Sequence, residues 1–263
     1  MPPLLYKHFW GLVDNDVTNS LLSWLNLGTI PYPLNHTFVT LIPKTKNPEY
    51  VTQYRPIRLC NVLYKIFSKV LANRFKKILR TIITEHQSAF VKNRLISDNI
   101  LVAFESLNSM KNMSSRKTRY MAIKLDMSKA YDRVEWGYLE NVMRKMGFNE
   151  RWIGLIMVCV KTVTYSIMVN GEPQGLIHPT RGIRQGNPLS PFLFLLRTEG
   201  LHGLIQLATS AGDIKGFSLC KRGPALTHLL FADDSLLFCR ATGDECRKIM
   251  EILETYEGAS GQK

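Results

Sequence analysis

The stretch Leu229–Phe238, LLFADDSLLF, sets two adjacent aspartates between two short apolar runs. Leu229–Ala232 and Ser235–Cys239 each read as a brief strand flanking Asp233-Asp234. Neighbouring carboxylates in such a setting repel each other and lose hydration. Aspartate is a common turn former, so a solvated hairpin tip is one reading. The other is a divalent-cation site, because a hard ion wants carboxylate oxygens and offsets their charge.

A third carboxylate lies upstream. Asp126 closes Tyr120–Asp126, YMAIKLD, whose alternation predicts a strand. A helix is predicted from around Ser128 to Lys145, ended by Gly147, so Asp126 also stands where an N-cap would. One carboxylate at a strand end plus a hairpin pair is the set that two-metal phosphoryl transfer needs, with the ions clamping the attacking and leaving oxygens.

Around these segments the pattern predicts a helix over 8–27 stopped by Gly28, a short strand Phe38–Pro43, and a polar loop Lys44–Tyr54. A long amphipathic helix is expected over 59–83, and another from Ser97 to Met110 capped by Ser97 or Asp98. Residues 111–119 read as an exposed basic loop. A helix over 151–160 precedes a hairpin, Tyr165–Val169 and Gln174–Ile177, turned by Asn170-Gly171. After a loop with Gly182 and Gly186, Ser190-Pro191 opens a helix reaching about Ala208. Helices mixed with hairpins, without regular βαβ alternation, indicate an α+β fold.

Composition narrows the function classes. With 263 residues, 45% hydrophobic and 21% charged, the chain can build a sizeable core. Its net charge is +13, and residues 41–100 carry twelve Lys or Arg against three Asp or Glu, leaving +9 of that excess in sixty residues. A polyanionic partner is the simplest use of such a local field. The five cysteines form no C-x-x-C pair, which argues against a disulfide framework or zinc ribbon and for a reducing, intracellular compartment. No apolar run is long enough for a membrane helix, and the start does not have the pattern of a signal peptide.

Five blocks in fixed order carry a resemblance. LIPKTKNPEYVTQYRPIRLCNVLYKIFSKVLANR, HQSAFVKNRLISDNIL, KLDMSKAYDRVEW, GIRQGNPLSPFLF and FADD together resemble the reverse transcriptase domain of LINE-type (non-LTR) retrotransposons, most closely those of plants. The resemblance implies a right-hand polymerase fold, with fingers over about 1–119 and palm over about 120–263. The palm would be an antiparallel sheet backed by helices, truncated before its end and with no thumb. The implied activity is RNA-directed DNA polymerisation, adding dNTPs to a DNA primer on an RNA template with two Mg²⁺. Asp126, Asp233 and Asp234 are similar to the catalytic, metal-binding carboxylates. Tyr131 resembles the aromatic that excludes ribonucleotides, against the alternative of a core aromatic in a first helical turn. Lys44 and Arg55 resemble the residues that grip the triphosphate, and Gln185 the residue lying against the incoming nucleotide. The nucleus or cytoplasm is the implied location.

The sequence departs from the family pattern at several places. Phe231 replaces a tyrosine, Arg58 a serine, and Asn187 an aspartate or cysteine beside the nucleotide site. Arg197 sits in an apolar stretch, where it must reach solvent or a partner such as Glu199. The alternative function is a catalytically silent RNA-binding remnant of a retroelement; an RNA-dependent RNA polymerase is disfavoured by Tyr131. Oligomeric state is left open.

Overall fold

The computed structural model describes residues 2–113, 118–220 and 223–262. In chain order the first elements are α1 (Pro3–His8), α2 (Trp10–Leu27), β1 (His36–Pro43), β2 (Tyr54–Arg58) and α3 (Val62–Lys76). There follow α4 (Leu79–Ile82), α5 (Ile96–Asn112), β3 (Tyr120–Asp126), α6 (Trp136–Lys145), α7 (Glu150–Lys161), β4 (Thr164–Val169) and β5 (Glu172–Ile177). The chain continues through α8 (Ser190–Ser210), β6 (His228–Phe231), β7 (Asp234–Arg240) and α9 (Gly243–Ser260). The fold is α+β. It divides into two compact units, one of residues 1–74 and 143–190, the other of 75–142 and 191–263.

The first unit contains a four-stranded sheet in the order β2-β1-β4-β5. β1 is antiparallel to β2 and parallel to β4, and β4 and β5 form the expected hairpin. Its turn residues Asn170 and Gly171 both have positive φ (52° and 87°), the backbone a type I′ turn demands. Val39, Val163 and Tyr165 pack together on one face, with Leu41 against them. On α3, Tyr64, Phe67 and Leu71 are buried at helical spacing.

The second unit is built on an antiparallel sheet, β3-β7-β6. α5 packs against β3 and β6, and α9 against β7. In α8, Phe192–Thr198 are buried without a break, so this part of the helix presents no face to water.

Several helices differ from their predicted bounds, and the one predicted over 8–27 starts at Trp10 behind a separate short α1. Asn61 accepts a hydrogen bond from the Leu63 amide (3.0 Å), which caps α3 and starts it at Val62 rather than 59; the helix then breaks between Lys76 and Leu79. α5 begins after Leu95 with no side-chain cap, while Asp98 lies in the first turn, where its charge favours the helix dipole. The largest correction is α6, which starts at Trp136 and not near Ser128. Residues 128–133 are turns, and Lys129 takes a left-handed φ of 52°. Met127, Ala130 and Val134 are buried from this turn segment at a spacing that imitates a helix. Of the expected basic loop, residues 111 and 112 end α5 and residues 114–117 lie outside the described residues.

Candidate active site

Asp126 is the last residue of β3 and Asp234 the first of β7, and the antiparallel register sets them directly opposite each other. Directly opposed residues in such a pair hold their Cβ atoms about 4.5–5.5 Å apart, and like charges there are destabilising. Asp233 precedes Asp234 in the turn that joins β6 to β7. All three carboxylates are exposed. Lys124, two residues before Asp126, reaches Asp234 at 3.3 Å and offsets part of the charge. Because a turn and not a helix follows Asp126, it does not serve as an N-cap.

The β6–β7 turn is held from behind. Phe231 pairs with Asp234, leaving Ala232 and Asp233 as its two turn residues, and Ala232 takes φ 52°. A left-handed backbone disfavours any residue with a Cβ, so something must hold it. The Ala232 amide donates to Gln87 Oε1 (3.2 Å), which also accepts from the Ala89 amide (3.0 Å). Gln87 is fully buried, and its amide nitrogen faces Thr198 Oγ1 at 3.5 Å. Backbone bonds tie the same segment to the strand: the Leu230 amide to the His86 carbonyl (2.8 Å), and the Ser88 amide to the Leu230 carbonyl (3.2 Å). Gln87 lies within the HQSAF block, yet nothing local in that block marks it as the support of a distant turn.

Tyr131 stands in the turn segment after Asp126, half-buried and stacked on Phe194 (centroids 5.1 Å, planes 14° apart). Burial raises its pKa, and the nearby Asp233 raises it further. Behind it lies Arg197, whose guanidinium is 4.1 Å from the Phe194 ring and 5.7 Å from that of Tyr256. Arg197 neither reaches solvent nor pairs with Glu199. It is fully buried and donates to Met127 Sδ, while its Nε and Nη1 find no hydrogen-bond partner among the described residues. Glu199 instead accepts from the Thr84 amide (3.1 Å). The turn segment is also fastened to the end of α9. Gln262 donates to the Ala130 carbonyl (3.0 Å), and a Cβ at Gly261 would meet the Arg133 carbonyl at 2.6 Å, so close approach requires glycine there. α9 itself has a readable signal, Thr242-x-x-Glu245 before Ile249, Ile252 and Tyr256, and Thr242 does cap it.

The other predicted residues belong to the first unit. Lys44 follows β1, Arg55 lies on β2 opposite Ile42, and both are exposed. Lys44 donates to the Thr52 carbonyl (2.9 Å). Gln185 is exposed on a turn whose neighbours are anchored. Arg184 donates to the carbonyl and side chain of Asn35 (2.9 and 2.8 Å) and lies over Tyr64. Asn187 donates to the Tyr64 hydroxyl (2.9 Å) and accepts from the Leu189 amide (3.1 Å), so its side chain is a buried anchor of the turn. Gly186 has φ 85°, and a Cβ there would come no closer than 4.0 Å to the Arg58 carbonyl; its need is conformational.

A second group of donors, absent from the sequence reading, is a cluster of His86, His202 and His228 able to coordinate a metal ion. Among the described residues no helix is long and apolar enough to cross a membrane, and all five cysteines are free.

The family described as reverse transcriptase (RNA-dependent DNA polymerase) matches residues 42–263. The chain belongs to the reverse transcriptase family. A Xenopus laevis protein described as transposon TX1 uncharacterized 149 kDa protein is 25% identical over 98% of this chain, which spans 19% of that protein. The Pol polyprotein of retrotransposable element R2 from Popillia japonica is 28% identical over 80% of this chain, which covers 28% of it. An uncharacterized mitochondrial protein of Arabidopsis thaliana is 52% identical over 26% of this chain and 56% of its own length. This reverse transcriptase domain is therefore related to Pol proteins of non-LTR retrotransposons, and it spans well under two thirds of each of these relatives. Apo telomerase from Candida tropicalis shares the fold, with a TM-score of 0.55 at 16% identity, covering 88% of this chain and 49% of that one.

Proposed function

We propose that this domain is an RNA-directed DNA polymerase that extends a DNA primer on an RNA template, taking dNTPs as substrates. The observation that carries the reading is the register that opposes Asp126 to Asp234 with Asp233 in the adjoining turn. Three exposed carboxylates, two of them opposed across strands with Lys124 offsetting part of their charge, are a donor set suited to a hard cation. Asp126 and Asp233 would be the principal ligands of two Mg²⁺, and Asp234 would contribute less directly. Bound there, the ions would supply charge neutralisation at the attacking 3′-oxygen and the leaving pyrophosphate. The exposed Lys44 and Arg55, on adjoining strand ends, would hold the triphosphate, Arg by a two-pronged grip and Lys as a point charge. Gln185 would lie against the incoming nucleotide, and the ring of Tyr131, fixed by Phe194, would fill the space of a ribose 2′-hydroxyl. In functional terms residues 1–119 would act as fingers and 120–263 as palm. The likeness to the Arabidopsis protein supports a plant lineage.

Primer extension on an RNA template, in the longest open reading frame containing these residues, tests the proposal. Asp126→Asn and Asp233→Asn each keep shape but remove a charged ligand; each is expected to abolish extension while binding of an RNA–DNA hybrid stays within about twofold. Extension surviving in both variants removes the assignment. An unmutated protein that binds hybrid but never extends it indicates a silent RNA-binding remnant.

A further inference from the structure

The second unit gathers three imidazoles from three separate segments. His86 lies between α4 and α5, His202 on α8, and His228 opens β6. One ring nitrogen of each lies within 4.8 Å of those of the other two. His202 Nδ1 and His228 Nε2 are 2.9 Å apart, and His86 lies flat on His228 with centroids 4.3 Å apart. The outward nitrogens are taken: His228 Nδ1 by Thr227 Oγ1 (2.8 Å), His86 Nδ1 by Thr84 Oγ1 (3.0 Å). A hydroxyl on the far nitrogen fixes tautomer and ring direction, which is how metal-bound histidines are commonly supported. The segment around His86 is itself clamped, since Arg94 donates to the carbonyls of Ile83, Thr84 and Gln87.

We propose that His86, His202 and His228 form a binding site for a Zn²⁺-class transition-metal ion, separate from the three aspartates. Neutral imidazole nitrogens suit such an ion, whereas Mg²⁺ prefers oxygen and keeps its water. Burial holds all three rings below the ordinary histidine pKa, with neighbouring imidazoles lowering His202 and His228 further, so at neutral pH they carry the lone pairs that coordination needs. Three histidines leave a fourth position for water. His86 must turn out of its stack on His228 to aim at the ion, and it is half-exposed while His228 is fully buried. Bound metal would then join the segment before Gln87 to α8 and β6, bracing the support of the Ala232 turn.

The test is a titration of the metal-free 263-residue chain with Co²⁺, read by visible ligand-field absorption, followed by displacement with Zn²⁺. One ion per chain is expected, unaffected by millimolar Mg²⁺ and by Asp126→Asn. His202→Ala and His228→Asn should each weaken binding by at least about tenfold, and His178→Ala should not change it. Because His228→Asn removes a buried group, circular dichroism must show it folded. If His228→Asn does not fold, Thr227→Val takes its place: it removes only the outer hydrogen bond and should weaken binding severalfold. No saturable Co²⁺ signal, or a signal retained in the His202→Ala variant, overturns the proposal.

Discussion

At position 197 a guanidinium is sealed among Phe194, Tyr256 and Met127 with two nitrogens unpartnered among the described residues, and burial pushes its pKa down. A buried polar group left unsatisfied costs about 1–3 kcal/mol. Arg197→Met should therefore stabilise the fold by an amount of that order, seen as a higher urea midpoint with an unchanged slope. A lower midpoint would show that the charge, set against Asp233 and the two rings, outweighs the missing hydrogen bonds. The same ring of Phe194 supports Tyr131. Under the proposed polymerase reading, Tyr131→Val should admit ribonucleotides while deoxynucleotide use changes less, measured by single-nucleotide extension with matched dNTP and rNTP. Unchanged discrimination would make Tyr131 a packing residue.

Among the elements, the β6–β7 hairpin depends most on a remote contact. Its two short apolar runs form the strands, but its turn needs Ala232 in a left-handed conformation, and Gln87 supplies the acceptor that holds it. Gln87→Leu keeps the volume and leaves the Ala232 and Ala89 amides without that oxygen. The expected loss is about 1–3 kcal/mol, read by denaturant unfolding. Ala232→Gly on that background should restore part of it, because glycine takes positive φ without strain. If Gln87→Leu unfolds at the wild-type midpoint, the turn is held by strand pairing alone. α6 teaches the same lesson: Ala130 and Val134 have helical spacing, yet the left-handed Lys129 precludes a helix there.

For the whole molecule, the histidine cluster dictates how metal-free stability follows pH. His86, His202 and His228 all have lowered pKa values, His228 down to about 2, through burial first and neighbouring imidazoles or their charges second for His202 and His228. The unfolded chain takes up protons near pH 6.5 that the folded chain refuses. Their contribution is thus full above that pH and is lost progressively as pH falls below it. Glu199 acts in the opposite sense: burial raises its carboxyl to about 7, so its contribution is largest in acid and lost as pH rises through 7. The urea midpoint should accordingly be lower at pH 5 than at 7.5. His202→Asn should flatten that dependence and Glu199→Gln should steepen it between pH 5 and 7. An unchanged profile in both variants would show that these groups titrate alike in the folded and unfolded chain. The basic excess of residues 41–100 is also not all available to a partner, since Arg94 is spent on three backbone carbonyls and Arg58 lies over Tyr165.

What the sequence determined by itself was local or carried by ordered motifs. Period-two alternation located β3, and short apolar runs located β6 and β7; Asn170-Gly171 named its own turn; Gly28 ended α2; and five ordered blocks pointed to the family. The candidate carboxylates were legible because FADD and KLDMSKAYD are contiguous. Tertiary structure alone decided that Asp126 faces Asp234, that Gln87 holds Ala232, that Arg197 is buried without Glu199, and that three histidines converge. Alternation says which face a side chain takes, but not which strand pairs with which, or in what register. A buried polar group likewise finds its partner through the packing of distant segments, and no spacing along the chain encodes that meeting.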